Sequence, residues 1–292
     1  MPIKNSELIL NPDGSVYHLN LKPENISSTI IFVGDQERIQ KITKHFDVIE
    51  FTAQNREFKT QTGIYKNKRI SVISTGIGPD NIDIVLNELD ALFNINLKTR
   101  EIKKNLTKLN IIRIGTSGAL QTNIPIDNFV ISEYALDLNG MLHSYKIDSI
   151  NTPDVEEAFI SQTNWHKNKA TPIVVKSSSK LLKVFNSDVT YTGLTATAGG
   201  FYGPQGRVLR LDIQDPNLNK KMDSFNYNGI QVTNLEMETS AIYGLSKLLG
   251  HHAISLNAIV ANRASGTFSK TPIQTIENLI EYTLDRITKI TD

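Results

Sequence analysis

The 292-residue sequence contains no cysteine, which removes disulfides, thiolate nucleophiles and cysteine-ligated zinc from consideration. It also lacks an excess of either charge. Lys and Arg number 31 against 30 Asp and Glu, a net charge of +1, so no global field draws the chain to nucleic acid or to an anionic membrane, and any anion site has to be local. Hydrophobic runs are short, none approaching the roughly 20 apolar residues that cross a bilayer. Met1-Pro2-Ile3-Lys4-Asn5-Ser6-Glu7 has neither the charged head nor the apolar stretch of a secretory signal. The expectation is a cytoplasmic protein with no membrane and no nucleic-acid partner.

Several cofactor and metal signatures are missing too. Gly76-x-Gly78 is followed by Asn81 where a dinucleotide-binding fingerprint needs its third glycine, and no G-x-x-x-x-G-K-[ST] or H-E-x-x-H occurs. His251 and His252 are adjacent and so point to opposite sides of whatever element carries them, which suits surface or core histidines better than metal ligands. His18 and His143 stand alone, and each by itself reads as a satisfied structural histidine. The chemistry expected is one that needs no metal and no organic cofactor.

With 39% hydrophobic and 21% charged residues, the chain can bury a full core as one domain spanning 1–292. Short apolar runs alternate with amphipathic stretches, the pattern of an α/β fold with a mostly parallel sheet covered by helices. Strands are expected at 29–33, 70–74, 111–114, 129–132, 190–196 and 253–260, several rich in β-branched residues. Helices are expected at 38–46, 80–93, 154–168, 236–249 and 271–290. The last opens on Thr271-Pro272, an N-cap and N1 pair, and repeats apolar residues at Ile273, Ile276, Ile280, Leu284 and Ile287. The polar stretch 94–110, with Lys98, Arg100, Lys103, Lys104 and Lys108, reads as a solvated face rather than a phosphate patch.

Three glycine turns follow strand candidates directly: Gly34-Asp35-Gln36-Glu37-Arg38, Thr75-Gly76-Ile77-Gly78-Pro79, and Arg113-Ile114-Gly115-Thr116-Ser117-Gly118. Ligands collect at the carboxyl ends of strands in open α/β sheets, and glycine lets backbone N–H groups approach an anion. Arg38 and Arg113, converging from separate strands, could hold a phosphate dianion through bidentate charge-assisted bonds. Further on, Phe201-Tyr202-Gly203-Pro204-Gln205-Gly206-Arg207 places a carboxamide and a guanidinium beside aromatic rings, a kit for the carbonyl and N–H edge of a flat heterocycle. Leu235-Glu236-Met237-Glu238-Thr239 then offers two carboxylates, acceptors for vicinal hydroxyls. Glu236 and Glu238 share a face on a strand and diverge by about 200° on a helix. At a strand-to-helix junction one of them can reach a ligand while the other caps backbone N–H groups or braces the first. Together these residues suggest a nucleoside site.

The ordered set Val16-Tyr17-His18-Leu19, Val33-Gly34-Asp35-x-x-Arg38, Asn55-Arg56-Glu57-Phe58, Ser74-Thr75-Gly76-Ile77-Gly78, Ile112-Arg113-Ile114-Gly115-Thr116-Ser117-Gly118, Leu138-Asn139-Gly140, Phe201-Tyr202-x-x-Gln205-x-Arg207, Glu236-Met237-Glu238 and Asn262-Arg263 resembles the uridine phosphorylases of the nucleoside phosphorylase superfamily. The resemblance implies one α/β domain with a central mixed sheet flanked by helices. It implies phosphorolysis of a pyrimidine nucleoside, with inorganic phosphate as co-substrate. Phosphate would be bound by Gly34, Arg38, Arg113 and Thr116, with Arg56 reaching in from a neighbouring subunit. Glu236, Met237 and Glu238 would hold the ribose, Glu238 accepting from its hydroxyls, and the neighbour's His18 would approach the 5′-hydroxyl. Phe201, Gln205 and Arg207 would take the base, Ser117 and Gly118 lining its pocket and Arg263 bracing the loop. Gln205, Arg207 and Glu238 would carry the catalysis. Two groups crossing a subunit boundary make the protein at least a homodimer in this reading.

The sequence departs from bacterial members in places. Pro79-Asp80 replaces a Gly-Pro, and Asn81 replaces a serine that helps bind an alkali cation beside the glutamate matched by Glu57, so a structural potassium is left open. Gly203-Pro204 reverses a Pro-Gly, and Gly206 replaces a glutamate. Purine phosphorylases of the hexameric type carry an aspartate where Asn262 lies, and nucleoside hydrolases need no pair of phosphate arginines. Both remain as rivals, as does a nucleoside-binding protein without turnover.

Overall fold

The apolar runs become strands of one twisted sheet in a computed structural model that describes residues 2–291. In chain order the strands are β1 (Thr29–Val33), β2 (Val48–Asn55), β3 (Phe58–Tyr65), β4 (Lys68–Ser74), β5 (Ile95–Asn96), β6 (Glu101–Ile102), β7 (Asn110–Ala119), β8 (Phe129–Asp137), β9 (Ile173–Lys176), β10 (Thr190–Thr197), β11 (Asn226–Tyr227), β12 (Ile230–Glu236), β13 (His252–Asn262) and β14 (Thr267–Phe268). The helices are α1 (Gln36–Thr43), α2 (Pro79–Asn94), α3 (Pro153–Thr163), α4 (Ser179–Phe185), α5 (Leu218–Ser224), α6 (Thr239–Leu248) and α7 (Pro272–Ile287).

The main path of the sheet runs β11-β12-β10-β8-β13-β7-β1-β4-β3-β2. Strands β4, β1, β7 and β13 are mutually parallel, as are β8, β10 and β12, whereas β2–β3, β3–β4 and β13–β8 pair antiparallel. The sheet is therefore mixed, as the resemblance implies. One further antiparallel contact positions the site: Leu235 pairs with Gly118 and Asn234 with Ala119, curling β12 back onto the end of β7.

Helices cover both faces. On one side α2 and α6 bury Ile82, Val85, Leu86, Leu89, Ile242 and Leu245; on the other α1, α4 and α7 bury Ile39, Ile42, Leu181, Leu279, Ile280 and Leu284. Burial of side chains this size stabilises by about 1.5–3 kcal/mol each against exposure. α7 begins at Pro272 behind Thr271 as the motif predicts, but Ile273 in its first turn stays exposed. No helix among the described residues is long and apolar enough to cross a membrane.

Helix boundaries differ from expectation where side chains cap. The Asp35 carboxylate accepts from the Glu37 N–H, so α1 starts at Gln36 rather than at residue 38. α3 stops at Thr163, where Asn164 takes a left-handed conformation. The 94–110 segment holds the small β5–β6 hairpin; Lys103 donates to the Phe93 carbonyl and Arg100 to that of Leu8, which fits a solvated loop face.

Candidate active site

Two of the three expected turns form at the carboxyl ends of adjacent parallel strands. Gly34 and Asp35 lead from β1 into α1, and Thr75 to Gly78 lead from β4 into α2. The third does not: residues 113–118 belong to β7, paired with β13 from Arg113 opposite Ser255 to Ala119 opposite Asn262 with one register shift between Ile259 and Ala261, and with β12 at Gly118. A turn needs free flanks, and this run has a partner on each side. Gly115 serves the site differently. A Cβ there would lie 1.8 Å from Arg113 Nη1, so the missing side chain is what lets the Arg113 guanidinium fold back along its own strand face, two residues being the repeat of that face.

Arg113 is the centre of a buried charge cluster. Its Nη2 donates to Glu238 Oε2 at 2.5 Å and lies 3.1 Å from Glu236 Oε2, while Nη1 donates to Asn257 Oδ1 at 3.0 Å. Arg38 enters from α1, donating from Nη1 to the Ile114 carbonyl at 3.2 Å. Burial, and next the charge of Arg113, pull Arg38 below the ordinary arginine range. Burial pulls Arg113 down as well, but the charges of Glu236 and Glu238 outweigh it and hold the guanidinium up. Burial pushes the Glu238 carboxyl above its ordinary value against the opposing pull of Arg113. Two cations and two carboxylates leave this cluster near neutrality, so an anion added here would bring negative charge that further cations would have to meet.

The two glutamates divide their work. Glu236 ends β12 and accepts from the N–H groups of Glu238 and Thr239 and from the Thr197 hydroxyl, capping the start of α6. Glu238 accepts from the Gly78 N–H at 2.8 Å through Oε1; Gly78 holds a φ of 98°, a conformation that favours glycine. Of the two carboxylates, Glu236 is the one that caps backbone N–H groups, while Glu238 is held by Arg113 and the Gly78 N–H. Met237 between them is half-buried.

The base loop forms a second polar centre. Gln205 is buried in a short 3₁₀ turn, Gly203–Gln205. Its Oε1 accepts from Arg207 Nη1 at 2.5 Å and from Arg263 Nη2 at 3.2 Å, and its Nε2 lies 3.4 Å from the Glu236 carbonyl. Arg263 also donates to the Gln205 carbonyl at 2.6 Å and to Asn219. The Arg207 guanidinium lies 3.7 Å over the Phe201 ring, which is itself half exposed. Neither arginine forms an ion pair with a carboxylate among the described residues. Burial, with Arg207 nearby, lowers Arg263 to about 10, and burial lowers Arg207. Ser117 accepts from Asn234 Nδ2 at 2.9 Å, Gly118 packs against Arg263, and Thr116 is half-buried in the same strand. Asn262 is spent on structure, donating to the carbonyls of Gln121 and Ile124 and accepting from the Ser265 N–H.

Three of the candidate residues stand apart. Arg56 sits exposed at the tip of the β2–β3 hairpin, 5.8 Å over the Tyr17 ring, with no hydrogen bond from its side chain to the cluster. His18 is held through Nδ1 by Glu88 at 2.7 Å, away from Glu238. Glu57 lies beside Asn81: the Cβ that Gly76 lacks would be 2.5 Å from Asn81 Nδ2 and 3.3 Å from Glu57 Cγ. Sequence reading missed Asn257, Thr197, Asn219 and Glu88. Only Asn257 had a signal, as a polar residue inside the apolar run of β13.

The family model for the phosphorylase superfamily matches residues 28–290. A uridine phosphorylase of Thermococcus kodakarensis is 31% identical over 266 residues, covering 88% of this chain and 81% of that protein. A DeoD-type purine nucleoside phosphorylase of Buchnera aphidicola is 28% identical over 277 residues, 94% of this chain and 99% of the relative. The crystal structure of a Trypanosoma brucei nucleoside phosphorylase described as showing uridine phosphorylase activity superposes with a TM-score of 0.88 at 27% identity, covering 97% of this chain and all of that one. Strand ends, buried arginines and paired glutamates thus occur in a chain that belongs to the phosphorylase superfamily, as a pentosyltransferase of the nucleoside phosphorylase type.

Proposed function

We propose that the chain catalyses the reversible phosphorolysis of uridine to uracil and ribose 1-phosphate. The observation that carries the choice of base is the Gln205 carboxamide held between two guanidiniums that have no carboxylate partner. As the C1′–N1 bond breaks, its electron pair moves onto the departing uracil, and Arg207 is placed to meet that charge. A purine leaving group would call for an acid at N7, and Asn262 cannot serve as one.

On the sugar side, an oxocarbenium-like C1′ develops positive charge while a phosphate oxygen forms the new bond. Arg38 and Arg113, with Gly34 and Thr116, hold the phosphate, and Glu238, with Met237, holds the ribose hydroxyls. Arg113 touches Glu238 directly, so one guanidinium sets nucleophile and sugar relative to each other. Arg56, exposed and unused within its own chain, and His18 complete the site of a neighbouring subunit, which makes the protein at least a dimer working in the cytoplasm. The reaction needs no organic cofactor; an alkali cation beside Glu57 and Asn81 would act structurally.

Initial rates on uridine, cytidine and inosine, with and without phosphate, test the reading. Uracil release from uridine only with phosphate present is the expected result, with cytidine slower by roughly tenfold or more, because its N3 and exocyclic amine leave a buried partner unpaired at about 1–3 kcal/mol. Release without phosphate identifies a hydrolase, inosine as best substrate a purine enzyme, and no release a binding protein.

A further inference from the structure

A second polar cavity lies at the other end of α6 from Glu238 and the Arg113 cluster. It has a volume of about 330 Å³ and sits where α6 ends and β13 begins, walled by Lys176, Ser178, Tyr243, Ser246, Lys247 and His251. α6 is ten residues long, so its ends are about 15 Å apart. Its first turn frames the candidate active site and its last turn this cavity.

Three observations point to a ligand. Ser246 is 1% exposed and its hydroxyl has no hydrogen-bond partner, a cost that a bound acceptor would relieve. Lys176 and Lys247 face the same space, and neither forms an ion pair among the described residues. Burial, and next the charge of Lys176, lower Lys247, while Lys180 and Lys108 add to the burial that lowers His252 beside them. Lys176 also lies 4.9 Å over the Tyr134 ring, and Glu133 is near enough for its charge to be felt there. At the end of α6 the Ser246 carbonyl accepts from the His251 N–H and that of Lys247 from the Gly250 N–H, and the two lysines have to outweigh the negative end of the helix dipole. His251 is held through Nδ1, which accepts from the Leu109 N–H, while its buried Nε2 lies 3.2 Å from Asp90 Oδ1 outside hydrogen-bond geometry.

We propose that this cavity is a second anion site, binding a phosphate group, free or as a small phosphomonoester, between Lys176 and Lys247 with the Ser246 hydroxyl as donor. The volume leaves room for more than the phosphate alone. The site is independent of which nucleoside the enzyme cleaves.

Calorimetric titration of the full chain with inorganic phosphate, and separately with ribose 5-phosphate, tests it. The wild-type protein is expected to show two binding events per chain for at least one of the two ligands. The Lys176→Ala, Lys247→Ala double variant should weaken one event about tenfold or more and leave the other, with turnover within about twofold of wild type. Ser246→Ala should weaken the same event to a smaller degree. Loss confined to inorganic phosphate assigns the site to the free anion, and loss confined to ribose 5-phosphate assigns it to a phosphomonoester. Isotherms of the double variant that superimpose on wild type for both ligands overturn the proposal, and they do so whether or not the chain cleaves uridine.

Discussion

At the scale of single residues, the site depends on an atom that is missing. Gly115→Ala places a Cβ where the Arg113 guanidinium now lies, and a clash with the far end of a side chain is relieved by moving that side chain. Arg113 then leaves Glu238 and Asn257. Losing one charge-assisted contact to phosphate is worth about 1.5–3 kcal/mol, so kcat/KM should fall at least about tenfold, and the thermal midpoint should fall as well because Glu236 and Glu238 are left buried without their cation. Unchanged phosphate dependence in this variant would separate Arg113 from the nucleophile. Glu238 gives a second expectation. Its carboxyl is raised by burial above the ordinary 4.5, and only the ionised form accepts from ribose hydroxyls without donating. Activity should therefore rise with pH along a limb lying above 4.5, and that limb should be absent from the residual activity of Glu238→Gln. The comparison holds the phosphate dianion concentration constant, because phosphate titrates near neutrality itself.

At the scale of elements, Gln205, Arg207 and Arg263 behave as one unit. The loop is fixed from outside by Arg263, which grips the Gln205 backbone and Asn219, while Arg207 is tied inside it to the Phe201 carbonyl and ring. Gln205→Ala should cut uridine turnover by about tenfold or more and leave phosphate affinity unchanged, whereas Arg263→Ala should loosen the loop and raise KM more than it lowers kcat. Equal effects of Gln205→Ala on phosphate affinity would mean that loop and cluster are not separate subsites. The same elements show what a sequence can disclose. The strand runs at 29–33 and 70–74 and the turns after them were legible, because composition and local spacing decide them. That the strand expected at 111–114 runs on through 115–118 was not, since its partners β12 and β13 lie more than a hundred residues away in sequence, as does Glu238, 125 residues from Arg113. Candidate residues could be named from motifs; the division of labour between Glu236 and Glu238 needed the curl of β12 onto β7.

At the scale of the whole molecule, the chain leaves part of its proposed machinery outside its own site. Arg56 is exposed on a hairpin tip, and within one chain nothing brings its guanidinium to Arg38 or Arg113. The local cluster is near charge balance before phosphate arrives, so the dianion needs a cation from elsewhere. In the proposed two-fold dimer it would be supplied symmetrically, each site taking Arg113 from one chain and Arg56 from the other. Arg56→Ala and Arg113→Ala homo-oligomers should each be nearly inactive. Mixed under exchange conditions, a hybrid dimer pairs one site that keeps both arginines with one that keeps neither. Random exchange puts half the chains into hybrids, so about a quarter of all sites should recover wild-type turnover, with KM for phosphate restored in that fraction. Native mass spectrometry establishes that hybrids have formed. If they form and the mixture is no more active than its two components, Arg56 acts within its own chain or not at all, and the cation that completes the phosphate site has to be sought elsewhere on the same face.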